Sequence, residues 1–211
     1  MGSYPIILEM AGRSAVVVGG GRIAEDKVEK LLPAEAKIRV VSPQLTPRIK
    51  ELADEGRVEW VGRDYLDGDL EGAFIAIAAT DSHDTNGRVF AEAEARGIPI
   101  NAVDDVEHCT FIAPAVFRNG SLIVAITTEG KAPTLAVRIR DRMRELYGGE
   151  EFAKLLELAG SLRDEVAATG RAFEVRAEAW YRLIDSDVLE LLRQGRDEDA
   201  VRRARECLSL P

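Results

Sequence analysis

The run VVVGGGRIAEDKVEKLL, residues 16–32, limits what this chain can fold into more than any other stretch. Valines of strand type lead into Gly19, Gly20 and Gly21, and a helical pattern follows at once. The spacing is G-x-G-x-x-A. Gly19 makes a tight turn, Gly21 lets a diphosphate approach the backbone, and Ala24 lets the helix pack close to the sheet. A helix start also presents unpaired N–H groups to phosphate oxygens. Gly19, Gly20, Gly21, Arg22, Ile23 and Ala24 therefore form a candidate dinucleotide cradle, with a purely structural turn as the alternative. The glycines lack a following GK[ST], which excludes a nucleoside-triphosphate loop.

The surrounding pattern supports a cradle. Near-continuous apolar runs at 14–20, 36–42, 73–80 and 98–104, with a short strand at 57–61, alternate with helical stripes at 23–32, 46–56 and 85–96. Such a series predicts a parallel sheet covered by helices, an α/β Rossmann-like fold. Thr46 and Pro47 suit a helix start, and Gly56 and Gly97 suit helix ends.

Ligands of such sheets bind beyond the C-terminal strand ends. Two segments finish at that edge: the one closing the fourth strand brings Thr80, Asp81 and Asn86 there, and the one closing the fifth brings Asn101, Asp104 and Asp105. An aspartate there is a proton acceptor or orienting group on one reading and a helix cap or turn former on the other. Both readings apply to Asp104, and Asp81 suits a cap. The acidic residue that usually binds the adenosine ribose after the second strand is missing. That strand ends RVVSPQ, so Ser42 or a backbone group serves instead. Arg39 lies within the strand, a poor place for gripping a 2′-phosphate, and the preference is NAD over NADP.

Past residue 110 the pattern changes. Two strand-like runs flank Asn119-Gly120, a strong hairpin signal. The remainder reads helical: a helix with Leu135, Ile139, Met143 and Leu146 on one face, another at 152–168, and further runs up to a surface helix at 197–208. Phe173, Trp180 and Tyr181 read as core aromatics. The expected organisation is 1–110, 111–146 and 147–211.

The formal net charge of −9, from 28 Lys and Arg against 37 Asp and Glu, argues against a nucleic-acid partner. No run approaches the roughly 18–20 apolar residues that span a membrane. Cys109 and Cys207 form no CxxC or zinc pattern, and neither does His83 or His108 with them, so no resident metal site is expected. A reduced, cytoplasmic setting is the expectation.

Several segments, in order and at suitable spacing, fit one family: VVVGGGRIAEDK, AIAATD, NAVDD, FIAPA, TTEGKAPTLAVRIRDRMRE and EAWYRLIDSDVLELLRQG. Together they resemble precorrin-2 dehydrogenase, the N-terminal module of siroheme synthase, in its stand-alone form. The resemblance implies oxidation of precorrin-2 to sirohydrochlorin with NAD as cofactor, and in some members insertion of iron to give siroheme. It implies a Rossmann domain, a small dimerisation element and a helical C-terminal domain, in a homodimer. It marks Asp104 as the central residue, with Asn101 beside it. Thr127 and Thr128 stand where the family often has serines.

The implied substrate is a tetrapyrrole with many carboxylates, and Fe2+ or Co2+ would be a transient second substrate. Thr127, Thr128, Lys131 and Arg138 are the candidate substrate contacts. Arg138 and Arg142 share a helical face, and Lys131 precedes the helix start. The alternative is a solvated surface balanced by Asp141 and Glu145. Two other functions compete: an NAD-dependent oxidoreductase of a small metabolite, and a non-catalytic NAD(H)-sensing regulatory protein.

Overall fold

Val16, Val17 and Val18 are buried because their strand lies at the heart of a sheet covered on both faces. The structure is a computed structural model and describes residues 2–103 and 105–211. Strand β1 (Ser14–Val18) pairs in parallel with β2 (Lys37–Val41) on one side and β4 (Ile75–Ala78) on the other. With β3 (Val58–Val61) and β5 (Ile100–Ala102) at the edges, the order is β3-β2-β1-β4-β5. Helices α1 (Arg22–Leu31) and α2 (Pro47–Asp54) contribute Ala24, Val28, Ile49 and Leu52 to one core, with Val17, Val40 and Ile77. Helix α3 (His83–Arg96) contributes Val89 and Ala93 to the opposite core, with Val16, Val18 and Ala76. This is the expected Rossmann-like sheet.

Local signals set the helix ends. The Thr46 hydroxyl accepts from the Ile49 N–H at 3.3 Å, and Pro47 opens α2. Ser82, not Asp81, caps α3, accepting from the Thr85 N–H at 3.2 Å. That cap starts α3 at His83 rather than Thr85. Strands β4 and β5 are shorter than the apolar runs that announced them, because their flanks turn out of the ladder.

The chain divides into two compact units, Met1–Ala113 and Pro114–Pro211. In the second, β6 (Ala115–Asn119) and β7 (Leu122–Ile126) form an antiparallel hairpin in which Asn119 faces Leu122. The two-residue loop is therefore Gly120-Ser121, one position later than an Asn-Gly turn. Gly120 takes φ +56°, as a turn with glycine first requires. Helix α4 (Pro133–Tyr147) packs on this hairpin, with Ala136 buried. The predicted apolar stripe of α4 faces outward in the single chain: Leu135, Ile139 and Leu146 are exposed.

The predicted helix at 152–168 is two helices, α5 (Glu150–Ser161) and α6 (Arg163–Ala168), broken at Leu162. Helices α7 (Phe173–Ile184), α8 (Val188–Arg193) and α9 (Asp197–Leu208) complete the unit. Its core gathers Leu155, Leu162, Leu183, Val188 and Leu208, with Trp180 packed against it. Phe173 and Tyr181 are not core residues; they are 72% and 70% exposed. Helix α9 buries Ala200, Ala204 and Cys207, so it is part of that core and more than a surface helix. Among the described residues no helix is long and apolar enough to cross a membrane.

The connection from β3 to β4 is fastened by Asp69, which accepts from Arg63 at 2.6 and 2.7 Å and from the Leu66 N–H at 2.8 Å. The Arg63 hydrogen bond holds the Asp69 carboxyl below its ordinary value of 3.8, against the opposing effect of burial. A depressed carboxylate stabilises the fold above its unfolded pKa, and that contribution is lost as pH falls through the folded value. Urea unfolding of the protein should therefore lose stability as pH drops below about 4. Asp69→Asn should weaken the protein at neutral pH and flatten this acid dependence.

Candidate functional site

The site begins where β1 runs into α1. Gly19 has φ +119°, and a Cβ placed there would stand 2.2 Å from the Ala79 carbonyl oxygen. A Cβ on Gly20 would stand 2.0 Å from the Gln44 carbonyl oxygen and 2.8 Å from the Ser42 hydroxyl. The glycine turn is thus gripped between the β2–α2 loop and the β4–α3 loop. Gly21 differs: nothing lies within 4 Å of its Cβ position. It is the N-cap of α1 and carries no side-chain cap. Helix geometry leaves the first N–H groups of α1 without intrahelical partners.

Here the strand order reverses, between β1 and β4. Open α/β sheets bind ligands at such a switch point. The open space at Gly21 and the uncapped helix start fit a diphosphate, and the two crowded glycines leave no room for side chains in its place. The residues present therefore fit a dinucleotide.

The two loops that grip the turn are held internally. In the β2–α2 loop the Ser42 hydroxyl donates to the Gln44 carbonyl at 2.7 Å, and the Thr46 N–H donates to the Gly20 carbonyl at 2.9 Å. The Trp60 indole N–H donates to the Ser42 carbonyl at 2.9 Å. Ser42 is buried, so its hydroxyl shapes the loop instead of lying open as a ribose partner. Arg39 is engaged by Glu59 across the β2–β3 pair at 3.0 Å.

In the β4–α3 loop, buried Asn86 accepts from the Thr80 hydroxyl at 2.7 Å and returns its amide to the Thr80 carbonyl at 3.1 Å. Asp81 is exposed at the tip. Within β5, Asn101 donates to the Phe111 carbonyl at 3.1 Å and reaches the Cys109 sulfur at 3.5 Å. Asp104 lies outside the described residues. Asp105 pairs with His108 at 2.5 Å.

The candidate substrate contacts lie in the second unit, each in its own local setting. The Thr127 hydroxyl accepts from the Glu129 N–H at 3.1 Å, and the Thr128 hydroxyl accepts from the Ala132 N–H at 3.0 Å at the start of α4. Lys131 is 82% exposed, with Glu129 at 3.6 Å. Arg138 is exposed on α4. Arg142 pairs with Glu145, and Arg140 and Arg144 with Asp141, so much of this helix's positive charge is balanced locally.

An open concavity of about 660 Å³ among α7 and α9 is lined by Tyr181, Arg182, Asp185 and Arg203 among others, and by none of the predicted site residues. Among the described residues no group of three or more His, Cys, Asp or Glu is arranged to hold a metal ion. Sequence reading missed the bracing roles of Trp60 and Asn86 and the Asp105–His108 pair. The pair's i, i+3 spacing was the available signal; nothing local marked Trp60.

The fold and the turn define an NAD(P)-binding α/β protein. Residues 6–115 match the family model described as "Putative NAD(P)-binding". Residues 119–146 match the central region of sirohaem biosynthesis proteins, and 151–208 match the sirohaem synthase dimerisation region. The chain belongs to the putative NAD(P)-binding family that residues 6–115 match.

It is 33% identical to "Siroheme synthase 1" of Serratia proteamaculans over 99% of this chain and 44% of that protein. It is 36% identical to a siroheme synthase of Pseudomonas paraeruginosa over 99% of this chain and 45% of that protein. The chain thus spans less than half the length of these relatives. The solved structure of "SirC, precorrin-2 dehydrogenase" superposes with a TM-score of 0.75 at 25% identity, over 95% of this chain and 100% of that one. The dimerisation-region match covers α5 to α9, whereas the sequence reading placed dimerisation in 111–146.

Gly21→Val tests the cradle. A side chain there meets open space in the protein and only a bound ligand would collide with it. The variant should melt like the parent, while its NAD+ dissociation constant, read by calorimetry, rises at least about tenfold, or 1.4 kcal/mol.

Proposed function

We propose that this chain oxidises precorrin-2 to sirohydrochlorin, using NAD+ in preference to NADP+. The observation that carries the reading is the likeness, along nearly the whole chain, to a solved protein titled precorrin-2 dehydrogenase. The uncapped glycine turn agrees with it, since a dinucleotide-dependent oxidation needs such a cradle. The nicotinamide supplies the hydride acceptor. The chain's residues bind, orient and manage the remaining proton.

Gly19, Gly20 and Gly21 admit the diphosphate, and the backbone of Arg22, Ile23 and Ala24 donates to it. Thr80 and Asp81 border the cofactor on the β4 side, held by Asn86. Asn101 steadies the segment after β5 that leads to Asp104, which serves as base or orients the substrate. With the Ser42 hydroxyl spent on Gln44, the ribose partner is the backbone of the β2–α2 loop. Arg39 is held by Glu59, and Arg48 by Glu29 and Glu51, which leaves a 2′-phosphate without these two cations.

Thr127, Thr128, Lys131 and Arg138 hold substrate carboxylates. The functional form is a cytoplasmic homodimer. Metal insertion, which some members of the family perform, would take Fe2+ or Co2+ as a further substrate.

An anaerobic assay with precorrin-2 and NAD+ tests this reading, following sirohydrochlorin and NADH together, with ferrous or cobaltous ion added afterwards. Asp104→Ala should lower turnover by about 100-fold or more while the NAD+ dissociation constant stays within about twofold. Turnover near the parent's would remove Asp104 from the chemistry. Lys131→Ala should raise KM for the tetrapyrrole more than it changes kcat, because it removes binding common to ground and transition states.

A further inference from the structure

The segment after β5 carries a preorganised acid–base pair. Asp105 and His108 lie one 3-10 turn apart, with imidazole Nδ1 and carboxylate Oδ2 2.5 Å from each other. The backbone around them is fastened from below. The Asp105 N–H donates to the Ala102 carbonyl at 3.4 Å and the His108 N–H to the Asp105 carbonyl at 3.3 Å. The Cys109 sulfur accepts from the Ala102 N–H at 3.2 Å and lies within 3.1 and 3.2 Å of the Ala102 and Asp105 carbonyls. The ring of Phe90, from α3, lies against the imidazole at 4.7 Å between centroids.

This geometry fixes the tautomer. The hydrogen bond from His108 holds the Asp105 carboxyl below its ordinary value, against the opposing cost of burial. An ionised carboxylate only accepts hydrogen bonds, so Nδ1 must carry the proton. With Nδ1 turned to the carboxylate, Nε2 is the ring nitrogen left to accept a proton. The imidazole is 40% exposed. The pair stands at the C-terminal end of β5, on the sheet edge where the cofactor turn opens. Among the described residues, the charged and titratable groups around it include Glu107 of the same turn, His83 at the start of α3, the Cys109 thiol, and Lys27 of α1, whose charge reaches Cys109.

We propose that His108 is the proton acceptor of the oxidation and Asp105 its positioning residue. The proposal rests on the activity set out above. Oxidation of the macrocycle breaks two bonds to hydrogen. One C–H bond gives up its hydrogen with the electron pair as hydride, reducing NAD+ to NADH. The second hydrogen leaves as a proton to Nε2 of His108, and its bond's electron pair becomes the new π bond of the product. The imidazolium is stabilised by the Asp105 carboxylate and returns its proton to water. Asp104 is then left to orient the substrate.

The test compares the parent with His108→Gln and Asp105→Asn in the anaerobic assay across pH, with melting curves and NAD+ calorimetry on each. Glutamine at 108 should lower kcat about 100-fold, leave KM and NAD+ affinity within about twofold, and abolish the acid limb of the kcat profile. Asparagine at 105 should lower kcat about tenfold. Nitrogen NMR of the parent, with His83→Gln to assign the two histidines, should show His108 protonated on Nδ1 at neutral pH. That readout is independent of turnover, and Asp105→Asn should shift it towards the other tautomer.

A His108→Gln kcat within about twofold of the parent's, with its acid limb intact, would overturn the proposal. So would a parent His108 protonated on Nε2. A parent that forms no sirohydrochlorin would overturn the activity and the acceptor together, whereas normal parent turnover with an unaffected glutamine variant overturns the acceptor alone.

Discussion

Everything at the candidate site depends on one close approach of backbone to backbone. The Cα of Gly19 lies so near the Ala79 carbonyl that a Cβ would stand 2.2 Å from the oxygen. Gly20 makes the same approach to Gln44 on the other side. Two loops from different strands can converge on the β1–α1 turn only because that turn has no side chains. Their convergence sets the walls of the crevice at the switch point, and Gly21 leaves its floor open. The sheet makes the arrangement stiff: β1 is paired on both sides and buried on both faces, so the turn at its end has little freedom to drift.

The side chains around this approach act chiefly on the loops. Ser42, Trp60, Asn86, Asn101 and Cys109 each bond to backbone of a loop at the sheet's C-terminal edge. A site built this way presents backbone N–H groups and a few chemically active side chains on a braced rim. That suits a reaction in which the cofactor supplies the redox chemistry and the protein supplies position and a proton acceptor.

The parallel sheet and its glycine turn were legible because burial on both faces writes an unbroken apolar run, and the turn's glycines follow it directly. The Thr46 and Gly97 helix ends were legible for the same local reason: capping chemistry is written within a few residues. Features decided by distant partners were not. The Ser42 hydroxyl was missed for another reason: its partner, the Gln44 carbonyl, is only two residues on, but the path of a loop's backbone is not written in its residue types. The indole of Trp60 meets Ser42 from another strand, and no spacing announces that. The break at Leu162 carries neither Gly nor Pro, so an apolar period ran straight through it. Phe173, Tyr181 and the α4 stripe satisfy a helical period, yet the single chain leaves them exposed, since periodicity reports a face and not what covers it.

A dinucleotide is expected to sit across the β1–α1 turn. A crystal structure with NAD+ bound tests it most directly. Diphosphate oxygens should lie above Gly21, within about 2.7–3.2 Å of backbone N–H groups among Arg22, Ile23 and Ala24, with the nicotinamide directed towards the segment after β5. A diphosphate held elsewhere, with the space at Gly21 filled by solvent, would contradict it.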